Sequence, residues 1–372
     1  MLRTATFAVV LAAVSCGAVD VGTCDEFKAV DRKTETEVTI TNADFTCTEY
    51  TRLSIRSAMV LKSSVGAITF SNLALAVYGS LTVEPNVEFT GIELVGKNGG
   101  ALRTTLDSST VFEGTATFTD ISIKTIDLGN DEEKTRKGGA IYNKGDMVFM
   151  QDATFTGNLN ANLEYGSGPG GAIANHVKGT MHFMGNLNMV DNEADDYFGG
   201  AEGGAIYNAG DITVDGDALF SENFSGRGAA IFQQKWATFV ISGFATFTKN
   251  KCIDTFGGAI CNIGGDITFT GGSLFDDNFA ENSGDGGVGG GIYNYDGGIV
   301  TLEGSTTFNF NYGNWGGAIF NQAFQSNLYY TEDDETFKVP VITYPADTVF
   351  TENYGQYCND VAYDYDEDTC GL

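Results

Sequence analysis

Apolar residues in this chain recur in short bursts of period two and never at the three-to-four spacing of a helix. Ahead of Phe220 stand Ile212, Val214 and Ala218, at eight, six and two residues before it. The same offsets return as Met147, Phe149 and Ala153, as Ile267, Phe269 and Ser273, and as Val300, Leu302 and Thr306. Alternation of this length predicts strands of about four residues with one face buried.

Two further elements bracket these strands. GGAIYN occurs at 138–143 and 203–208, with variants starting at Gly170, Gly228, Gly257, Gly289 and Gly316. FxxN follows in each unit, as Phe155 with Asn158, Phe220 with Asn223, Phe247 with Asn250, Phe275 with Asn278, Phe308 with Asn311 and Phe350 with Asn353, with Met189 and Asn192 in the same role. Weaker copies start at Val65 and Gly99 and carry Ile92 and Ile121 where the Asn would stand.

A unit of this size with only short strands cannot bury its own apolar face, so it must stack on copies of itself. At about 4.8 Å per coil, Ile falls on Ile and Phe on Phe inside, and corner Asn amides bond up and down the stack. The expected fold is all-β, a single-stranded right-handed parallel β-helix of about nine coils over residues 65–353. Residues 19–64 and 354–372 are expected to cap its open ends.

The basic start and the apolar run from Phe7 to Val14 read as a secretory signal peptide over 1–18, too short for a membrane span. Six cysteines follow Cys16 and fall into local pairs, Cys24 with Cys47, Cys252 with Cys261 and Cys358 with Cys370, each expected to be a disulfide. The chain carries 20 Lys and Arg against 49 Asp and Glu, a net charge of −29, which disfavours nucleic acid and anionic polysaccharide.

The alternation of GGAI with FxxN resembles the repeat of the chlamydial polymorphic outer membrane proteins. That resemblance covers 138–353 well and 65–121 weakly. It implies a right-handed β-helix in an extracellular or cell-surface setting and a role in adhesion. Members are carried by a C-terminal membrane barrel, for which the nineteen residues after Asn353 are too few.

The expected function is therefore a secreted, non-catalytic binding or structural protein, adhesin-like, whose partner is a polysaccharide or protein outside the cell. The alternative is a polysaccharide-active lyase or glycosidase of the pectin-lyase-like fold. The sequence has no NTD, GHG or RIK segment of the polygalacturonase kind, and no catalytic residue is assigned. An outward aromatic stripe of Tyr142, Tyr207, Phe232, Tyr293 and Phe320 is expected after each Ile. No cofactor is called for beyond weak calcium sites at Asp195, Asp196, Glu281 and Asp285, in loops of variable length between FxxN and the next GG. Binding is expected on that loop edge. The one sequon, Asn223-Phe224-Ser225, uses a repeat Asn and is expected to stay unglycosylated.

Overall fold

The computed structural model describes residues 19–30, 37–95, 98–125, 137–162, 168–196, 200–253, 256–281, 286–322, 339–363 and 370–371. The signal segment 1–18, most of the charged run 131–137 and Asp285 lie outside them. The chain winds as a parallel β-helix. Each strand pairs with its equivalent one turn earlier and later, so that Asp211–Val214 lies between Thr180–Phe183 and Thr238–Ile241.

A full coil has four strands. The Ile-x-Asn strand, such as Ile206–Asn208, forms column D, the next, such as Asp211–Val214, column A, and the Ala-x-Phe-x strand, such as Ala218–Ser221, column B. A short strand after the repeat Asn, such as Phe224–Ser225, forms column C. Column A has twelve strands among the described residues and column C seven. In the first coils Asp44–Ile55 and Ile68–Val77 run straight from B into D with no C strand between.

The stack begins before residue 65. Val19–Val21, Glu37–Ile40 and Met59–Ser63 already occupy column A in parallel register. The segment expected as a cap therefore supplies coils. What caps it is the helix Cys24–Ala29, opened by a capping box between Thr23 and Glu26 and packing Phe27 against Phe45.

Two sets of contacts hold the coils in register. Phe220, Phe247, Phe275 and Phe308 stack at centroid distances of 4.8, 4.7 and 4.6 Å, with planes within 6° of parallel. Beside them the repeat Asn side chains form a buried ladder. Each Nδ2 donates to the next Oδ1, from Asn158 through Asn192, Asn223, Asn250, Asn278 and Asn311 to Asn353, at 2.9 to 3.1 Å. Asn223, the sequon residue, is a buried rung. The residue before each rung is left-handed, φ 54° at Asp191, 58° at Glu222 and 55° at Lys249, which turns the chain from B towards C. A second ladder in column D joins Asn143, Asn175, Asn208 and Gln233, then Asn262, Asn294 and Asn321.

Disulfides join Cys24 to Cys47 and Cys358 to Cys370. The expected Cys252–Cys261 bridge is not formed, and both residues are buried thiols. They occupy different columns: Cys252 stacks between Ser225 and Ala280 in C, and Cys261 between Phe232 and Tyr293 in D. The Cys252 Sγ donates to the Gly226 carbonyl at 2.7 Å, and burial above all pushes the Cys261 thiol well above its ordinary range. Neither thiol is expected to react with iodoacetamide in the native protein, and both should be alkylated on denaturation without reductant. Peptide mapping that recovered a Cys252–Cys261 cross-linked peptide would contradict this arrangement.

Candidate binding surfaces

The aromatic stripe exists but does not face solvent. Tyr142, Phe232, Tyr293 and Phe320 are buried and Tyr207 nearly so. Their cover is the residue before each glycine pair. Lys137, Pro169, Glu202, Arg227, Phe256, Val288 and Trp315 follow one another up the rod, each carbonyl after Lys137 accepting from the first repeat glycine one coil below. Phe256 lies 4.9 Å from Tyr293 between ring centroids, and Phe256, Val288 and Trp315 join Phe232, Cys261, Tyr293 and Phe320 in a second apolar cluster outside the main core. The stripe is thus a structural layer under the loops, because each loop returns across column D before entering the next GG.

Towards the N-terminus the covering column turns ionic. Ala174 stands between Tyr142 and Tyr207 in register, and over this small residue Lys137 Nζ reaches 5.7 Å from the centre of the Tyr207 ring. Glu202 lies 3.8 Å from Arg227, whose guanidinium is 5.6 Å from the Phe256 ring centre. Burial outweighs both cations and pushes the Glu202 carboxyl up to about 7, and burial likewise pushes Tyr207 up to about 12. A carboxyl raised in the folded state stabilises fully below its unfolded value near 4.5 and loses that contribution as pH rises through 7. Glu202→Gln should therefore match the native chain near pH 4 and exceed it above pH 7, by up to about 3 kcal/mol. Urea unfolding at both pH values checks this. An equal stability difference at the two would show that folding does not raise the Glu202 carboxyl.

Along the loop edge a different aromatic ladder is partly exposed. Phe279 stacks on Tyr312 at 4.5 Å and Tyr312 on Tyr354 at 5.3 Å, with Tyr354 56% exposed. Lys251 Nζ sits 5.5 Å from the Phe279 ring centre and pairs with Glu281 at 3.2 Å. The rings lie face to face along the rod, so they present edges to a ligand, and Tyr354 has no stacked ring beyond it among the described residues.

Of the acidic loop residues, Asp195 and Glu281 do not converge. Asp195 and Asp196 end the strand Glu193–Asp196, where Asp195 helps burial raise the Glu193 carboxyl. Glu281 lies three coils further on, roughly 14 Å at the usual strand spacing. Among the described residues no three His, Cys, Asp or Glu side chains form a metal-holding group.

One surface feature escaped the sequence reading. At the turn from column A to B, Asn186, Asp217 and Phe244 stack in consecutive coils, and with Asn188, Ala218, Leu219 and Thr246 they line an open groove of about 330 Å³. The signal was one corner position per coil, reading Asp152, Asn186, Asp217, Phe244, and it acquires meaning only once the coils are in register. Elsewhere Trp236 is 80% exposed at a left-handed φ of 66°, with Lys235 Nζ 5.5 Å from its ring centre. No family model, no curated protein and no solved structure matches the chain.

Proposed function

We propose that this protein is a secreted, adhesin-like binding rod that meets an extracellular polysaccharide or protein along its loop edge. The carrying observation is the contrast between the two sides of each coil. Ladders and Phe stacks fix columns D, A and B, while the segments from FxxN to the next GG, column C included, range from four residues at 224–227 and 312–315 to eleven at 159–169. Up to Phe308 length variation falls on the side that register does not constrain, where the half-buried Phe279 and Tyr312 and the exposed Tyr354 lie, and the last unit adds a long segment between Ile319–Asn321 in D and Val341–Thr343 in A. The terminal disulfides support an oxidising compartment, and no helix among the described residues is long and apolar enough to cross a membrane. The GGAI and FxxN spacing supports kinship with the polymorphic outer membrane protein repeat, and weak calcium binding at the acidic loop ends belongs to the same reading.

The test shortens the loops 159–169, 193–202 and 279–288 to four residues each. Binding is then scored on immobilised acidic and neutral polysaccharides and on extracellular matrix proteins, with and without calcium. Lost binding with an unchanged circular dichroism spectrum supports the loop edge, and unchanged binding overturns it. A polysaccharide-active enzyme has one observation in its favour, a carboxyl near 7 beside a guanidinium in Glu202 and Arg227. Release of new chain ends from a polysaccharide by the native protein but not by Glu202→Gln would establish that reading instead.

A further inference from the structure

The groove at the A-to-B corner lies away from the loop edge, and its construction is regular. Asp152 Oδ1 accepts from the Asn186 N–H at 2.8 Å, Asn186 Oδ1 from the Asp217 N–H at 3.0 Å, and Asp217 Oδ1 from the Phe244 N–H at 2.7 Å. Each corner side chain is thereby turned along the rod and fixed by the coil above it. The glycines before Asn186, Asp217 and Phe244 keep the coils in close apposition. A Cβ at Gly216 would lie 2.6 Å from the Gly185 carbonyl oxygen, and one at Gly243 2.3 Å from that of Gly216. The polar groups are therefore placed by backbone before any ligand arrives, which lowers the ordering entropy of binding.

At Phe244 the polar corner series ends in a ring that is 39% exposed. It is backed by Gly272 of the next coil, where a Cβ would come within 3.2 Å of Cδ2 and Cε2. On the groove side lie the amide of Asn188, the hydroxyl of Thr246, the apolar flank of Leu219 and, over the small floor residue Ala218, the Asp217 carboxylate. The bonds above engage Oδ1 of Asn186 and of Asp217, leaving the Nδ2 donors of one and the Oδ2 acceptor of the other.

We propose that this groove is a saccharide subsite that takes a neutral pyranose unit of a glycan chain. A pyranose has an apolar C–H face and a rim of hydroxyls that both donate and accept. The groove supplies the matching parts: one aromatic ring, one apolar side chain, a carboxylate acceptor, two amides and a hydroxyl. Its volume is at the lower end of the range of about 300–1,000 Å³ for small-ligand sites, suited to one sugar unit. The lining has a carboxylate and no cation, on a chain of net charge −29, so uronate and sulfated units are repelled.

Titration calorimetry on the full chain tests the site. The probes are hexasaccharides of β-1,4-glucan, β-1,3-glucan, β-1,4-mannan and β-1,4-xylan, with hexagalacturonate as the anionic control. Saturable binding of at least one neutral probe is expected. It should weaken at least tenfold in Phe244→Ala and in Asp217→Asn, the latter keeping the Oδ1 acceptor for the Phe244 N–H, and persist in Tyr312→Ala/Tyr354→Ala. Thermal melting confirms that each variant folds. Binding to no neutral probe overturns the proposal, as does preference for hexagalacturonate or affinity untouched by Phe244→Ala. A loss confined to the Tyr312/Tyr354 variant would assign the sugar to the loop edge and leave the groove without a role.

Discussion

Asn250→Ala is expected to destabilise the rod by about 3 kcal/mol or more, a very large effect for removal of one amide. Asn250 sits mid-ladder and is fully buried. Its Nδ2 donates to Asn278 Oδ1 at 2.9 Å and to the Phe220 carbonyl at 3.0 Å. Its Oδ1 accepts from the Asn223 backbone N–H at 3.1 Å and from Asn223 Nδ2 at 2.9 Å. Alanine strips this bond from the Phe220 carbonyl and the Asn223 N–H, while Asn278 Oδ1 keeps the residue-250 backbone N–H and Asn223 Nδ2 keeps the Met189 carbonyl, and each buried group left unpaired costs about 1–3 kcal/mol when water cannot reach it. Asn250→Asp separates donor loss from cavity. At neutral pH a carboxylate still accepts from Asn223, but its second oxygen faces the Phe220 carbonyl and Asn278 Oδ1 as a third acceptor, so it should be no more stable than alanine. Burial raises the pKa of such a carboxyl in the fold, so Asn250→Asp should recover part of its stability as pH falls and the acid O–H becomes a donor. Urea midpoints at pH 4 and pH 8 read both effects. An alanine variant within 1 kcal/mol of the native chain would mean that the ladder bonds add little to register.

The ladder and the Phe stack were legible because they obey chemistry that repeats in sequence: an amide must meet an amide and a ring a ring, so the same residue returns at each coil. Even Met189, the exception among the rings, keeps its place, in register between Phe155 and Phe220. The cover over column D was not legible for the opposite reason. Lys137, Glu202, Arg227, Phe256 and Trp315 share no chemistry, and each is chosen for a neighbour one or two coils away. Lys137 is placed by the gap at Ala174, and Phe256 by Tyr293. Sequence showed that the aromatics point away from the core but not that a returning loop lies over them. Cys252 and Cys261 misled through proximity in sequence, since nine residues of separation carry them from column C to column D. The first coils were hidden by their single long strands, in which Asp44–Ile55 and Ile68–Val77 pass from B to D without the FxxN corner that marks the later units. The corner groove required register between three coils before Asn186, Asp217 and Phe244 became neighbours.

Phe247→Ala should cost about 3–5 kcal/mol, the usual range for emptying a fully buried phenylalanine site. Phe247 is sandwiched between Phe220 at 4.8 Å and Phe275 at 4.7 Å, with Phe269 at 5.6 Å from the neighbouring column. Its coil is hydrogen-bonded on both sides, through Ala245–Thr248 to Ala218–Ser221 below and Ser273–Asp276 above. Such tightly registered coils cannot close over the void, so the cavity term should persist in full rather than relax away. The two lost stacking contacts add to the transfer term. Phe247→Met supplies the comparison, because the chain itself places Met189 in this column between two phenylalanines. A flexible thioether of similar volume fills the same site, and the expected cost falls below about 1.5 kcal/mol. Because a solenoid is stabilised by nearest-neighbour interfaces, the alanine variant should loosen the coils on either side of 245–248 first. Amide hydrogen exchange should then show protection lost at 218–221 and 273–276 while the first coils, around Phe45 and Phe70, keep theirs. Uniform loss of protection along the rod would mean that it unfolds as one cooperative unit, and a cost equal to that of Phe247→Met would mean that the ring stack has no energetic role beyond volume.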